Sequence, residues 1–367
     1  MASLLKDLYS PVFYQRIANV FEQTIPEFDS DLFIKMIYSP DFEVKELKER
    51  MRHTTVTLHH FLPAAYPEAT PMIKEAIELF RKNGIQEDGL PFIFLADYIE
   101  VYGKEDYETS VDALEFITQF VSCEFAVRPF LLIYGKKMIS QMLVWSTHKN
   151  YKVRRLASEG SRPRLPWAMA VPILKKEPAL ILPILENLKS DPAEWVRRSV
   201  ANSLNDIAKD HPGEVLKIAA RWTGLSKETD AIIKHGSRTL LKQGHPEILI
   251  HYGLTAKDME FNSFKIINPE VRIGESLEFT FSISNRHKAS QTVRLEYAIY
   301  YKLKNGQLSR KVYKISEKNY LSNQTAQIRR KQKFILITTR NFNAGTHHIA
   351  VIINGQEQIK VAFELAE

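Results

Sequence analysis

Along the first two thirds of the chain, apolar residues recur at spacings of three and four. Phe13, Ile17, Val20 and Phe21 form one such series, and Met72, Ile73, Ala76, Ile77 and Phe80 form another. That period stacks them on one helical face, so residues 1 to about 258 read as helix after helix. From about Phe264 the period shortens to two. Leu277–Ile283, Val293–Tyr301 and His348–Ile353 are alternating or β-branched runs separated by Asn-Arg and Asn-Gly turn signals, the grammar of β-strands. The change falls near Thr255–Asn262.

A repeat runs through the helical part. Asp191, Pro192 and Glu194 spell a helix start, with Asp as N-cap, Pro at the first helical position and Glu in the first turn. The Val196-Arg197-Arg198 step that follows has a counterpart 43 residues earlier, Val153-Arg154-Arg155, and a looser one 37 residues later, Ile233-Lys234-His235. A period near 40 marks HEAT-like helical pairs, which stack into a curved solenoid whose concave face is lined by the second helix of each pair. The strand-rich remainder, several short strands in about 100 residues, fits an immunoglobulin-like β-sandwich without its disulfide. The expected architecture is mainly α: a HEAT-like helical-repeat solenoid over residues 1–258, followed by the β-sandwich over 262–367.

The polar residues fall into registers on these helices. In the helix expected from about Ala193 to Lys209, Val196, Val200, Leu204 and Ile207 make the buried stripe. Arg198, Asn202, Asp206 and Lys209 make a second. Arg155, Glu159 and Arg162 match that second stripe one repeat earlier, with Arg154 and Arg197 about a third of a turn away. Such rows are either ordinary solvated helix pairs and repeat-stabilising ion pairs or a surface for a polyanion. Glu124 continues the apolar row Ile117, Phe120 and Val121, where a carboxylate is paired, protonated or functional. Arg128, four residues on, is its obvious structural partner. Between two helices stands Arg162-Pro163-Arg164-Leu165-Pro166-Trp167, more than a simple turn requires. Its arginines suit phosphates, and Trp167 either stacks on a ligand or caps the core between repeats.

Charge sharpens the picture. From Lys265 onward there are 17 Lys and Arg against 8 Asp and Glu, a surplus of nine in a chain of net charge +7, so the helical part is close to neutral. A basic sandwich beside a nearly neutral body points to a polyanion, nucleic acid first, with solubility as the plainer alternative. Its candidate contacts are Lys302, Lys304, Arg310, Lys311, Arg329, Arg330, Lys331 and Lys333. The single cysteine, Cys123, excludes an intrachain disulfide and a cysteine zinc finger. The N-terminus becomes charged too soon for a secretory signal, and a cytoplasmic location is expected. No Gly-rich phosphate loop, Gly-x-Ser-x-Gly elbow or His/Cys metal constellation occurs, so neither nucleotide hydrolysis nor metal chemistry is expected.

Glu124–Phe130, Val153–Trp167 and Trp195–Asp206 together resemble the AlkC branch of the AlkC/AlkD DNA alkylation-repair glycosylases, which also includes proteins with an appended immunoglobulin-like domain. The Arg-Pro-Arg-Leu-Pro-Trp block is the specific part of the match. The resemblance implies metal- and cofactor-independent excision of cationic N3-alkylated bases, 3-methyladenine and 3-methylcytosine, from double-stranded DNA. The lesion would be gripped without being drawn into a deep pocket, unlike in base-flipping enzymes. It also implies an active-site cluster of Glu124, Glu159, Trp167 and Asp206, with Asp206 as the chief carboxylate. Arg154, Arg155, Arg162, Arg164, Arg197 and Arg198 are the expected phosphate contacts, in a protein acting as a monomer. The rival expectation is a non-enzymatic helical scaffold or a lesion-binding relative, since most such solenoids are binding modules.

Overall fold

The computed structural model of the protein describes residues 4–85, 87, 89–255, 257–335 and 342–367. Helices joined by short turns and 3-10 segments run to His251, and strands begin at Met259. The chain forms two compact units that divide between Gly236 and Ser237.

In the first unit the three repeat-bearing helices, Tyr151–Gly160, Glu194–Ile207 and Lys227–Gly236, pack side by side in that order. The expected stripe of Val196, Val200, Leu204 and Ile207 is fully buried between them. Cutting Leu204 back to alanine there would cost about 2–5 kcal/mol, transfer and cavity terms together. Close approach is part of the packing: a Cβ added to Gly236 would lie 2.8 Å from the Leu204 Cβ. Buried Ser158 donates to Ser199 across the first helix pair at 2.8 Å.

Two local expectations are corrected, and the third repeat departs from the other two. The middle helix starts at Glu194 with Ala193 as its N-cap, because the Asp191 carboxylate is engaged by Arg154 and by the Ala193 N–H instead. In the third repeat the Ile233-Lys234-His235 step falls late in its helix, which begins at Lys227 and ends at Gly236; Arg238–Gln243 is a separate short helix. Glu124 is not helical. The helix Tyr107–Ile117 ends seven residues before it, and Glu124 occupies a turn that leads into the helix Val127–Tyr134.

The second unit comprises strands β1 (Met259–Ile266), β2 (Glu270–Arg272), β3 (Ser276–Asn285), β4 (Gln291–Lys302), β5 (Leu308–Tyr320), β6 (Thr325–Lys333), β7 (Gly345–Ile353) and β8 (Gln356–Ala366). They make a three-stranded sheet, β1-β3-β6, and a five-stranded sheet, β2-β8-β7-β4-β5, antiparallel throughout except for the short β2–β8 pair. Alternation sends Leu277, Phe279, Phe281 and Ile283 of β3 and Val293, Leu295, Tyr297 and Ile299 of β4 into one core with Ile349, Val351 and Ile353 of β7, as expected for a sandwich. The Asn354-Gly355 signal makes the two-residue β7–β8 turn, with φ of 43° and 78°, the doubly left-handed backbone that Asn-Gly favours. The short helices Arg238–Gln243 and Pro246–His251 pack with this unit: Leu249 lies against Gly355, and a Cβ on Gly244 would meet the Gly355 carbonyl at 2.6 Å. Packing therefore divides the chain about twenty residues before the secondary structure changes.

Candidate active site

The helix Tyr151–Gly160 is capped by Asn150, whose side chain accepts from the Lys152 N–H at 2.9 Å. With Val153, Leu156 and Ala157 buried on its inner face, Arg155 and Glu159 fall one turn apart and line a cavity of about 460 Å³. Two further walls come from sequence-distant segments. The turn after Tyr107–Ile117 supplies Val121, Ser122, Glu124 and Phe125, and the Arg162–Trp167 segment supplies Arg162, Leu165, Pro166 and Trp167. Trp195, Tyr9, Met51 and Ile93 complete a largely apolar enclosure.

The cavity carboxylates are both ion-paired. Glu124 accepts from Arg155 at 2.7 Å and from the Ser122 hydroxyl at 2.9 Å. Glu159 accepts from Arg162 Nη1 at 2.6 Å, and the same guanidinium donates through Nε to Asp206 at 2.9 Å. Burial works against the charge of Arg162, but the adjacent Glu159 and Asp206 carboxylates more than offset it and hold its pKa above the usual arginine value. Asp206 is 2% exposed, takes a further bond from Lys209 at 3.2 Å, and lies behind Arg162 rather than on the cavity wall.

Arg128 is not the partner of Glu124. It is fully buried and donates to the carbonyls of Met169 (2.9 Å), Gly160 (2.9 Å) and Arg162 (2.7 Å). Burial, then repulsion from Arg162, brings its pKa down to about 10. Its three bonds pin both ends of the segment that carries Trp167. That tryptophan is 68% exposed and has φ of 62°, a backbone conformation that is uncommon and costly for a bulky residue. Its carbonyl accepts from Lys48, whose ammonium also lies over the Phe125 ring at 5.3 Å.

The remaining arginines divide. Arg154 is bidentate to Asp191 at 2.5 and 3.0 Å and donates to the carbonyls of His148 and Lys149. Arg197 donates to the carbonyls of Asp191 and Pro192, and Arg164 is bidentate to Asp210. These three brace the fold. Arg198 is exposed over a separate shallow groove that also includes Lys227 and His235. The sandwich cations do not form one cluster. Lys302, Lys304, Arg310 and Lys311 belong to the five-stranded sheet and its β4–β5 turn, with Arg310 paired to Glu357 at 2.8 Å. Arg329, Arg330, Lys331 and Lys333 lie on β6 of the other sheet, where Arg329 and Lys331 share Glu278.

The site thus brings together Glu124, Glu159, Arg155, Arg162 and Trp167, with Asp206 directly behind. Trp195 and Lys48 line the same cavity without being marked as site residues by the sequence pattern. The 43-residue offset that aligned the two Val-Arg-Arg steps already placed Trp195 at the mouth of its helix, beside the matched arginines. Nothing in the local pattern marked Lys48, which reaches Trp167 across 119 residues.

Comparison with known proteins places the chain. Residues 260–367 match the family model described as "Uncharacterised protein YhaZ, C-terminal Ig-like domain", and residues 181–211 match that of the HEAT repeat. The uncharacterised protein YhaZ of Bacillus subtilis (strain 168) is 42% identical over 362 residues, 98% of this chain and 99% of its own. The solved structure of the Pseudomonas fluorescens alkylpurine DNA glycosylase AlkC, bound to DNA containing an abasic site analog, is 33% identical, with a TM-score of 0.93 and full coverage of both chains. Helical repeat, sandwich and cavity-bearing segments are all included in those full-length matches, and the chain belongs to the AlkC family, together with YhaZ.

Proposed function

We propose that this protein is a DNA glycosylase that hydrolyses the N-glycosidic bond of cationic N3-alkylated bases, 3-methyladenine and 3-methylcytosine, in duplex DNA, and so initiates base excision repair. The observation that supports it is the convergence of Glu124, Glu159 and Trp167 on one cavity, in a chain whose whole length matches a DNA-bound alkylpurine glycosylase.

N3 alkylation leaves the base positively charged, so it departs without a general acid. As the bond breaks, positive charge develops on the deoxyribose. A fixed carboxylate in a water-poor cavity stabilises that charge and orients or deprotonates the attacking water. Glu159 and Glu124 face the cavity, whereas Asp206 reaches it only through Arg162. We therefore give the sugar-facing role to Glu159 and make Asp206 the anchor that fixes the Arg162–Glu159 pair. Trp167 packs against the sugar or backbone at the mouth and attracts the cationic lesion through its ring face, with the base held there rather than withdrawn into the protein. Arg198, Lys48 and the sandwich cations supply phosphate contacts, which position a duplex without reading its sequence. The reading needs no cofactor, and the protein acts as a cytoplasmic monomer.

A second reading has an observation in its favour. Both cavity carboxylates, and Asp206 behind them, already have arginine partners, as they would in a lesion-binding scaffold without chemistry. Incubation of the purified protein with methylated duplex DNA separates the two. Release of free 3-methyladenine, lost in Glu159→Gln, is expected. Intact duplex binding with no released base would install the scaffold reading instead.

A further inference from the structure

The segment from Leu165 to Val171 has little of its own to hold it in shape. Its two ends are buried, while Pro166, Trp167, Met169 and Ala170 between them are exposed and uncharged. Among the described residues, the main chain of 163–170 makes one bond to itself, from the Ala168 N–H to the Leu165 carbonyl at 3.4 Å. Trp167 nevertheless stands at φ of 62°, a conformation that a bulky residue keeps only where its surroundings impose it. Lys48 reaches the Trp167 carbonyl from the exposed side. From the buried side comes Arg128, at the second position of the helix Val127–Tyr134. It bonds the carbonyls of Gly160 and Arg162 before the segment and that of Met169 within it. The first two are anchored already. Gly160 ends a helix, and the Arg162 guanidinium joins Glu159 to Asp206. The Met169 carbonyl, two residues beyond Trp167, is the one that Arg128 ties to that fixed base. A Cβ on Gly160 would come within 2.6 Å of Val127, so a glycine there is what lets the Arg128 helix approach so closely.

Packing alone does not explain an arginine at this position. Arg128 is fully buried and lies in the first turn of a helix, where the dipole disfavours a cation. Arg162 repels it, and Asp206, the carboxylate whose charge favours it, is bonded to Arg162 and Lys209 instead. Its Nη2 is buried without a hydrogen-bond partner among the described residues. Each of these features costs stability. What a guanidinium offers in return is several N–H groups in one rigid plane, here spanning the anchored and the unanchored parts of one segment. We infer that Arg128 is a positioning residue for excision: from inside the protein it fixes the Trp167 ring relative to the Glu159 carboxylate. The inference rests on the glycosylase reading for the reaction, not for the geometry. In that reading Trp167 holds the lesion at the cavity mouth while Glu159 serves its sugar, so the separation of the two decides whether sugar and carboxylate meet. Misplacement by about an ångström costs on the order of a hundredfold in rate. Arg128 touches neither DNA nor a reacting atom and acts through Trp167.

The test joins a spectroscopic readout to a kinetic one. Full-length protein is labelled with 5-fluorotryptophan and observed by fluorine NMR without DNA. The chain has four tryptophans, and the Trp167 signal is the one lost in Trp167→Phe. In the wild type that signal should be single and narrow. Arg128→Lys keeps the charge without the planar fork, and Arg128→Met keeps the length without either. Both should broaden or split the Trp167 signal and leave those of Trp145 and Trp222, each 1% exposed, in place. In single-turnover assays both should release 3-methyladenine about 100-fold more slowly, with affinity for undamaged duplex and its salt slope unchanged. Because Arg128 acts through Trp167, Arg128→Lys combined with Trp167→Ala should be no slower than Trp167→Ala alone. Additive losses would overturn the assignment, as would an undisturbed Trp167 signal in a folded variant. A broad Trp167 signal in the wild type overturns it even if neither variant folds. Excision at the wild-type rate beside a broadened signal would remove the kinetic role and leave the glycosylase reading standing. A signal that responds as expected in a protein that releases no base would keep Arg128 as the fixture of Trp167 and remove the glycosylase reading.

Discussion

The helices Tyr151–Gly160 and Glu194–Ile207 carry the same Val-Arg-Arg step, and they use it differently. In both, the first arginine serves the framework: Arg154 clamps the Asp191 carboxylate, and Arg197 donates to the carbonyls of Asp191 and Pro192. The second arginine diverges. Arg155 is enclosed against Trp195 and Glu124, while its counterpart Arg198 stands in the open. One turn further on, the first helix has Glu159 in the cavity and the second has Asn202, bonded to His235 at 3.0 Å. Repeat register sets the direction in which a side chain leaves its helix. Its role is then decided by what the neighbouring segments bring to meet it, here the Glu124 turn and the Trp167 segment.

The comparison can be broken most forcefully at its shared arginine. Arg154→Ala would leave the Asp191 carboxylate, 3% exposed, without its cation and two backbone carbonyls without their donor. A loss of about 3–5 kcal/mol in urea-unfolding free energy is expected, against less than about 0.5 kcal/mol for exposed Arg198→Ala. Equal losses would show that the two second-position and first-position arginines are not divided as described. Next in size is the carboxylate that distinguishes the helices. Glu159→Gln should lower single-turnover release of 3-methyladenine by about 100- to 1000-fold, the usual cost of one preorganised electrostatic contact. Asn202→Ala, at the matched position, should leave it unchanged. Comparable losses at both positions would mean that helix packing, not cavity chemistry, sets the rate.

Packing can also be sharpened between the pairs. Gly236→Val places a branched side chain where even a Cβ meets that of Leu204 at 2.8 Å, so the helix Lys227–Gly236 must shift away from its neighbour. Overpacking of this kind costs typically about 1–3 kcal/mol, and a drop in melting temperature with excision per folded molecule preserved is the expected pattern. Lost excision in a still-folded variant would instead tie the third repeat to the site.

How far the sequence went follows the range of the interactions involved. Periodicity placed the repeat helices, the buried row of Val196 and Leu204, the strands and the Asn354-Gly355 turn, because each is decided by neighbours within a few residues or by one-sided burial. The Arg162–Trp167 segment was visible as a break in pattern, and Glu159 as a residue in register with Arg155. Where long-range partners decide, local spacing misleads. Continuing the row of Ile117 and Val121 put Glu124 on a helix, although the helix ends at Ile117. Spacing by four gave it Arg128, which is held by three carbonyls of a segment more than thirty residues away. The guanidinium of Arg162 looked like a phosphate ligand but is spent on two carboxylates, one of them Asp206 from the next repeat. No spacing rule could have supplied Lys48 to Trp167. The boundary near residue 258 marked the change of period, whereas burial of Leu249 against Gly355 draws the last two helices to the sandwich.

The smallest effect tests the exposed half of the comparison. If Arg198 is a phosphate contact and no more, Arg198→Ala should weaken duplex binding only a few-fold at low salt and to the same degree on alkylated and undamaged DNA. The slope of log affinity against log salt should fall by about one unit, the signature of one lost cation–phosphate contact. Arg155→Ala should behave otherwise: its guanidinium is already committed to Glu124 and Trp195 in the free protein, so its loss should leave the salt slope unchanged. A salt slope unchanged by Arg198→Ala would remove that residue from the duplex-binding face. A lesion-dependent change in Arg198→Ala would show that its role is not confined to the phosphate backbone.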